Sequence, residues 1–149
     1  MGLRGLYKKL KKTEKDDSDQ ILAEFSRYFV ENDWRATREI KTFCVVSDWI
    51  ETSVKILALE FYEYDALLSK NNDIQDTIDH LNELGEMELA GMIAKGIHDY
   101  SNPQYSCICD YPKEWVDDCF DIDSWIKGHR VQLRQWLYDY LLNIEDSIS

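Results

Sequence analysis

From Trp34 to Leu68 the apolar side chains return at steps of three and four positions, and the register does not slip. Ile40, Phe43, Cys44, Ser47, Ile50, Val54, Leu57, Phe61, Tyr64 and Leu68 all stand on that series. A half-buried strand alternates with period two, so a period near 3.6 held this long commits the chain to helix. The stretch is long for one globular helix, which predicts a kink near Val45–Asp48. A short strand through Val45-Val46 is the competing reading, since β-branched residues suit a pleated surface. Two prolines and six glycines leave little material for a loop-rich or many-stranded fold. The expectation is an all-α, irregular bundle of five or six helices.

The rest of the chain repeats the pattern in shorter pieces. Asp17 followed by Gln20 reads as a helix start, and Ile21, Leu22, Phe25, Tyr28 and Phe29 then share one stripe. Asn32-Asp33 interrupts it. Asn71-Asn72-Asp73 is turn chemistry that also offers an N-cap. Ile74, Ile78 and Leu81 lead to Gly85, placed to end a helix in the left-handed conformation. Met87, Ala90, Ile93, Ala94 and Ile97 form the next stripe, stopped by Ser101-Asn102-Pro103. A helical hairpin around Gly85 follows. Residues 101–114 read as irregular. Asp123-Ser124 is a further N-cap candidate, opening a long C-terminal helix with Ile126, His129, Leu133, Trp136, Leu137, Tyr140, Ile144 and Ile148 inward.

The charge is large and uneven. The 149 residues carry 29 acidic and 17 basic side chains, a formal net charge of −12. Residues 1–15 set six cations against Glu14, a charge of +5, and the remainder therefore holds −17. That division suggests a basic N-terminal segment, 1–15, followed by a single acidic helical domain, 16–149. A field of this sign repels nucleic acid and anionic lipid and draws in basic partners. No segment approaches the roughly 18–20 apolar residues of a membrane span. Leu3, Leu6 and Leu10 are split by Arg and Lys, unlike the core of a secretory signal. The chain reads as cytoplasmic, its four cysteines as thiols.

Two constellations bear on chemistry. Cys107, Cys109, Cys119 and His129 match tetrahedral zinc in ligand type, but one residue between the first pair is fewer than zinc knuckles use, so buried packing thiols are the default and no cofactor is expected. The other is the acidic run Asp110, Glu114, Asp117, Asp118, Asp121 and Asp123, which faces only Lys113 and is interleaved with Trp115 and Trp125. Asp121-x-Asp123 begins a calcium-loop pattern that Ser124-Trp125-Ile126 does not continue. Carboxylates that steer and aromatics that supply contact area describe a protein-binding surface. A second acidic face is expected from Glu60, Glu63, Asp65, Asp73, Asp76, Asp79, Glu83, Glu86 and Glu88. Carboxylates spaced along rigid helices can imitate the phosphates of a duplex. The three histidines, His80, His98 and His129, are scattered, and no serine or cysteine stands in a nucleophile elbow.

The element Thr77-Ile78-Asp79-His80-Leu81-Asn82-Glu83-Leu84-Gly85, then Glu88-Leu89-Ala90-Gly91-Met92-Ile93, an acidic segment and a terminal helix, resembles the acidic helical bacterial family that includes a DNA-mimic inhibitor of a transcription factor. Small acidic immunity proteins of toxin systems share the composition. The resemblance implies a non-catalytic inhibitor that blocks a basic protein, a toxin effector or a DNA-binding protein. The competing expectations are a small metal-dependent or hydrolase-like enzyme, and a structural subunit of an oligomer such as a homodimer.

Overall fold

The computed structural model describes residues 2–68, 72–106 and 108–148, with the side chains of 65–68 outside that description. Among the described residues the chain is all-α: eight α-helices, two single 3₁₀ turns and no strand. The helices are α1 (Leu3–Lys11), α2 (Asp19–Glu31), α3 (Arg38–Lys55), α4 (Ala58–Leu68), α5 (Asp73–Glu83), α6 (Met87–Lys95), α7 (Lys113–Gly128) and α8 (Arg130–Ile148). Five or six helices was too few, because two stretches that read as single helices are broken. The 34–68 series divides at Ile56-Leu57, some ten residues past the expected kink, and Val45-Val46 is helical. The C-terminal helix is preceded by a separate one that starts at Lys113, so Asp123-Ser124 lies inside a helix rather than capping one.

The chain forms two compact units, residues 1–47 with 129–149, and residues 48–128. In the first, α1 packs on α2, and α2 on α8. Its core joins Leu6, Tyr7 and Leu10 to Phe25, Phe29, Phe43, Leu137 and Leu141, all buried. The Tyr7 ring meets Phe25 edge-on, and its hydroxyl donates to the Leu141 carbonyl at 2.8 Å. The basic opening segment is thus a docked helix. Lys9 pairs with Glu24, Lys11 with Glu145 and Lys15 with Asp139. The start of α2 falls two residues later than Asp17, which sits in a 3₁₀ turn with Ser18 in the N-cap position. Asp33, after α2, takes φ 65°, a left-handed setting that aspartate tolerates. No helix among the described residues is long and apolar enough to cross a membrane.

In the second unit α4 packs on α7, and α6 on both α5 and α7. Trp49, Leu59, Leu81, Ile93, Cys119, Ile122 and Ile126 are its buried centre. Gly85 ends α5 as expected, with φ 82°. The Glu86 amide bonds the Leu81 carbonyl and the Gly85 amide bonds that of Asn82, a Schellman closure that satisfies the last carbonyls of the helix. Asn71 of the expected turn lies outside the described residues, and Asn72 occupies the N-cap position of α5.

α6 stops at Lys95, well before Pro103, because its end is claimed by two tyrosines. The Tyr62 hydroxyl donates to the Ile93 carbonyl at 2.7 Å and the Tyr100 hydroxyl to that of Gly96 at 2.6 Å. A side chain at position 96 would collide with the Tyr62 ring, so only glycine fits. The α6 stripe is also rotated from expectation: Leu89, Ala90 and Ile93 are buried, while Met87, Ala94 and Ile97 are exposed.

Candidate functional site

The acidic run, Asp110 to Asp123, is carried mostly by α7. Pro112 precedes the helix with its φ already fixed for a first turn and no amide to waste. Cys119, Ile122 and Ile126 recur at three and four positions and turn this helix inward. The carboxylates are consequently sorted by phase. Glu114, Asp117 and Asp121 project outward and are exposed, whereas Asp118 and Asp123 lie toward the packed side and are half-buried.

Each inward carboxylate has a defined task. Asp118 accepts from His98 Nε2 at 3.0 Å. The His98 ring is stacked flat on Trp115, centroids 5.1 Å apart with 6° between planes. Asp123 Oδ1 accepts the Ser53 hydroxyl at 2.6 Å and the Ala58 amide at 2.8 Å. This carboxylate supplies the cap at the start of α4, and so accounts for the break at Ile56-Leu57.

The outward carboxylates are engaged only at their tips. Asp121 faces Lys95 at 3.2 Å and Asp117 faces Lys113 at 3.3 Å. Exposed pairs of this kind contribute little to stability and remain available to a stronger cation. Asp110 accepts from the Ser106 amide and hydroxyl, closing the loop before α7.

The two tryptophans are built into the unit. Trp115 is surrounded by Tyr100, Tyr105, Tyr111 and His98, with centroids 5.1–5.6 Å away. Trp125 lies 6.2 Å from Trp49, and its Nε1 donates to Glu88 at 3.1 Å. Both are half-buried and bind their own fold first.

Of the four metal candidates, Cys107 lies outside the described residues. Cys109 is exposed and Cys119 is buried. His129 belongs to the first unit. Among the described residues no group of three or more His, Cys, Asp and Glu could hold a metal ion. Tyr100 gives its one proton to Gly96, so at the 3.5 Å contact between Tyr100 Oη and Cys119 Sγ the thiol is the donor. Burial, with Asp123 and Asp118 nearby, pushes the Cys119 thiol up to about 11. A thiol held protonated in this way is no nucleophile at neutral pH.

The second acidic face needs one correction. Asp73 is 2 % exposed and belongs to a buried polar side of α5 with Thr77 and His80, spaced i, i+4 and i+7. The Asp65 side chain lies outside the described residues. Glu60, Asp76, Asp79, Glu83 and Glu88 are exposed, and Glu63 and Glu86 partly so. Burial, followed by repulsion from Glu60, raises the Glu63 carboxyl above its ordinary value.

Division by unit shows what division at residue 15 missed. Residues 48–128 hold 18 carboxylates against five lysines, a formal charge of −13, whereas the first unit holds 11 against 12 cations, a charge of +1. The signal was present in the sequence, but reading it required knowing where the units divide. No protein-family model, curated protein or solved structure matches the chain.

Proposed function

We propose that this protein is a non-catalytic inhibitor whose acidic unit, residues 48–128, occupies a basic surface of a partner protein and blocks it. The observation that carries this reading is the segregation of charge: −13 on one compact unit and +1 on the other. A solubilising charge has no reason to concentrate on one unit. A concentrated one steers association and excludes anionic competitors. The outward carboxylates Glu114, Asp117 and Asp121 serve as contacts, while Asp118 and Asp123 hold the helix that presents them. The resemblance to acidic helical inhibitors points to the same two partner classes, a toxin effector or a DNA-binding protein.

The test is retrieval of the partner from native lysate by the immobilised full chain at low and high salt, followed by assay of that partner's own activity. The expected result is capture of a basic protein at low salt, its release at high salt, and loss of its activity when saturated with inhibitor. Combined reversal of Glu114, Asp117 and Asp121 to lysine should abolish both capture and inhibition. A partner that stays fully active when saturated overturns the reading.

A further inference from the structure

We propose that the outer face of α6 is the seat of a basic amphipathic helix presented by the partner. This rests on the acidic-inhibitor reading and names the part of the partner that is held. The outer face consists of Met87, Gly91 and Ala94, which follow one another at i, i+4 and i+7 and so form one stripe. Leu84, just before the Gly85 turn, and Ile97, just past the end of α6, are exposed on either side of it in the chain. Met87 is 69 %, Leu84 49 % and Ile97 43 % exposed.

The adjoining face, Leu89, Ala90 and Ile93, is already buried in the unit. α6 is therefore apolar over two adjoining faces, one buried and one exposed, a wider apolar arc than its packing in the unit covers. Its only charged side chains, Glu88 and Lys95, are both turned aside toward α7, where they meet Trp125 and Asp121. Neither stands within the outer stripe.

The chemistry of the occupant follows from the neighbours. α5 and α7 both pack on α6, and each carries exposed carboxylates: Asp76, Asp79 and Glu83 on α5, and Glu114, Asp117 and Asp121 on α7. Packed helices lie about 8–10 Å apart, so lysine or arginine on the flanks of a helix seated over α6 reaches both rows. An apolar stripe on a helix whose two neighbours carry exposed carboxylates selects an apolar stripe flanked by basic residues. A second copy of this chain would set carboxylates against carboxylates across a two-fold axis, which is repulsive.

The probe is a synthetic helical peptide with leucines on one face and lysines on the other, compared with a scrambled peptide of identical composition. Both are titrated into the ¹⁵N-labelled full-length protein at low salt. The decisive variant is Gly91→Lys, because a Cβ at Gly91 meets nothing within 4 Å and loss of a mid-helix glycine favours the helix, so folding is retained. The patterned peptide should bind at least about tenfold more tightly than the scrambled one, with amide shifts at Met87, Gly91 and Ala94. Gly91→Lys should remove that advantage while leaving the circular dichroism unchanged. If the two peptides bind equally and Gly91→Lys alters neither, the docking face is overturned while charge attraction, and hence the inhibitor reading, stands. If neither peptide binds, both are overturned. If sedimentation shows a wild-type dimer that Gly91→Lys converts to monomer, a second copy is the occupant and the proposal is wrong.

Discussion

Replacing Asp123 with alanine tests whether one side chain divides α3 from α4. The carboxylate accepts two hydrogen bonds on a single oxygen, from Ser53 and from the Ala58 amide. Ala58 is fully buried, so in the variant its amide has no water to turn to. A hydrogen bond to a charged acceptor contributes about 1.5–3 kcal/mol, and an orphaned buried donor costs about 1–3 kcal/mol. Because these overlap, and because Asp123 is only half-buried, a loss of about 3 kcal/mol is expected. With a urea dependence of about 2 kcal/mol per molar, the unfolding midpoint should fall by about 1.5 M. Asp123→Asn keeps an accepting oxygen and should lose less than half as much. Ser53→Ala should cost about 1 kcal/mol. That cost should nearly vanish in the Asp123→Ala background, since the hydroxyl has already lost its acceptor. Urea denaturation of the wild type and the four variants decides the matter. A midpoint shift for Asp123→Ala under about 0.5 M, or simple additivity with Ser53→Ala, would refute the account of the break.

Three further outcomes are expected. Gly96→Ala drives a methyl into the Tyr62 ring and should destabilise by about 1–3 kcal/mol in thermal denaturation; an unchanged melting temperature would show that the ring moves freely. The Thr77 hydroxyl is fully buried, with no hydrogen-bond partner among the described residues, so Thr77→Val should raise stability by about 1 kcal/mol, and a loss would reveal a partner for it. Burial raises the Cys119 thiol from 9.0 to about 11 and lifts the Tyr7, Tyr62, Tyr100 and Tyr140 phenols above their ordinary range. The folded state thus keeps protons that the unfolded chain gives up, so stability is intact below pH 9, declines as pH rises through 11, and falls further as the phenols titrate. Melting temperatures across that range should show the decline, and Cys119→Val should remove its first part.

The fold was legible in the sequence wherever its cause was local. The α2 stripe and the left-handed Gly85 each depend on residues within about two turns, and both are found where expected. The break after Lys55 was not legible, because its cause, Asp123, is 65 residues from the amide it caps. The same aspartate misled a second time: read as the N-cap of the last helix, it is a mid-helix residue whose acceptor is used elsewhere. Pro112-Lys113-Glu114 did carry a helix-start signal, proline before the first turn and an acid within it, and it was outweighed by the irregular residues preceding it. In the candidate site, composition identified the acidic run but not the helix that carries it, and helical phase separates its outward carboxylates from its half-buried ones. The stacking of His98 on Trp115 joins a loop to a helix and leaves no periodic trace. The end of α6 has a similar origin, since tyrosines from outside the helix bond the Ile93 and Gly96 carbonyls.

The concentration of charge in residues 48–128 has a thermodynamic consequence of its own. Like charges crowded on one folded unit work against folding, and at Glu63 repulsion from Glu60 adds to the larger effect of burial in raising the carboxyl. Ionic strength therefore acts on this unit in two opposite senses. In the free protein added salt screens the carboxylates from one another and tightens the fold; in the proposed complex the same salt would compete with the cationic partner and loosen the grip. By linkage, a partner that neutralises the carboxylates returns as binding free energy the strain that the free unit carries. Part of the affinity in the proposed complex would thus be present before the two surfaces meet.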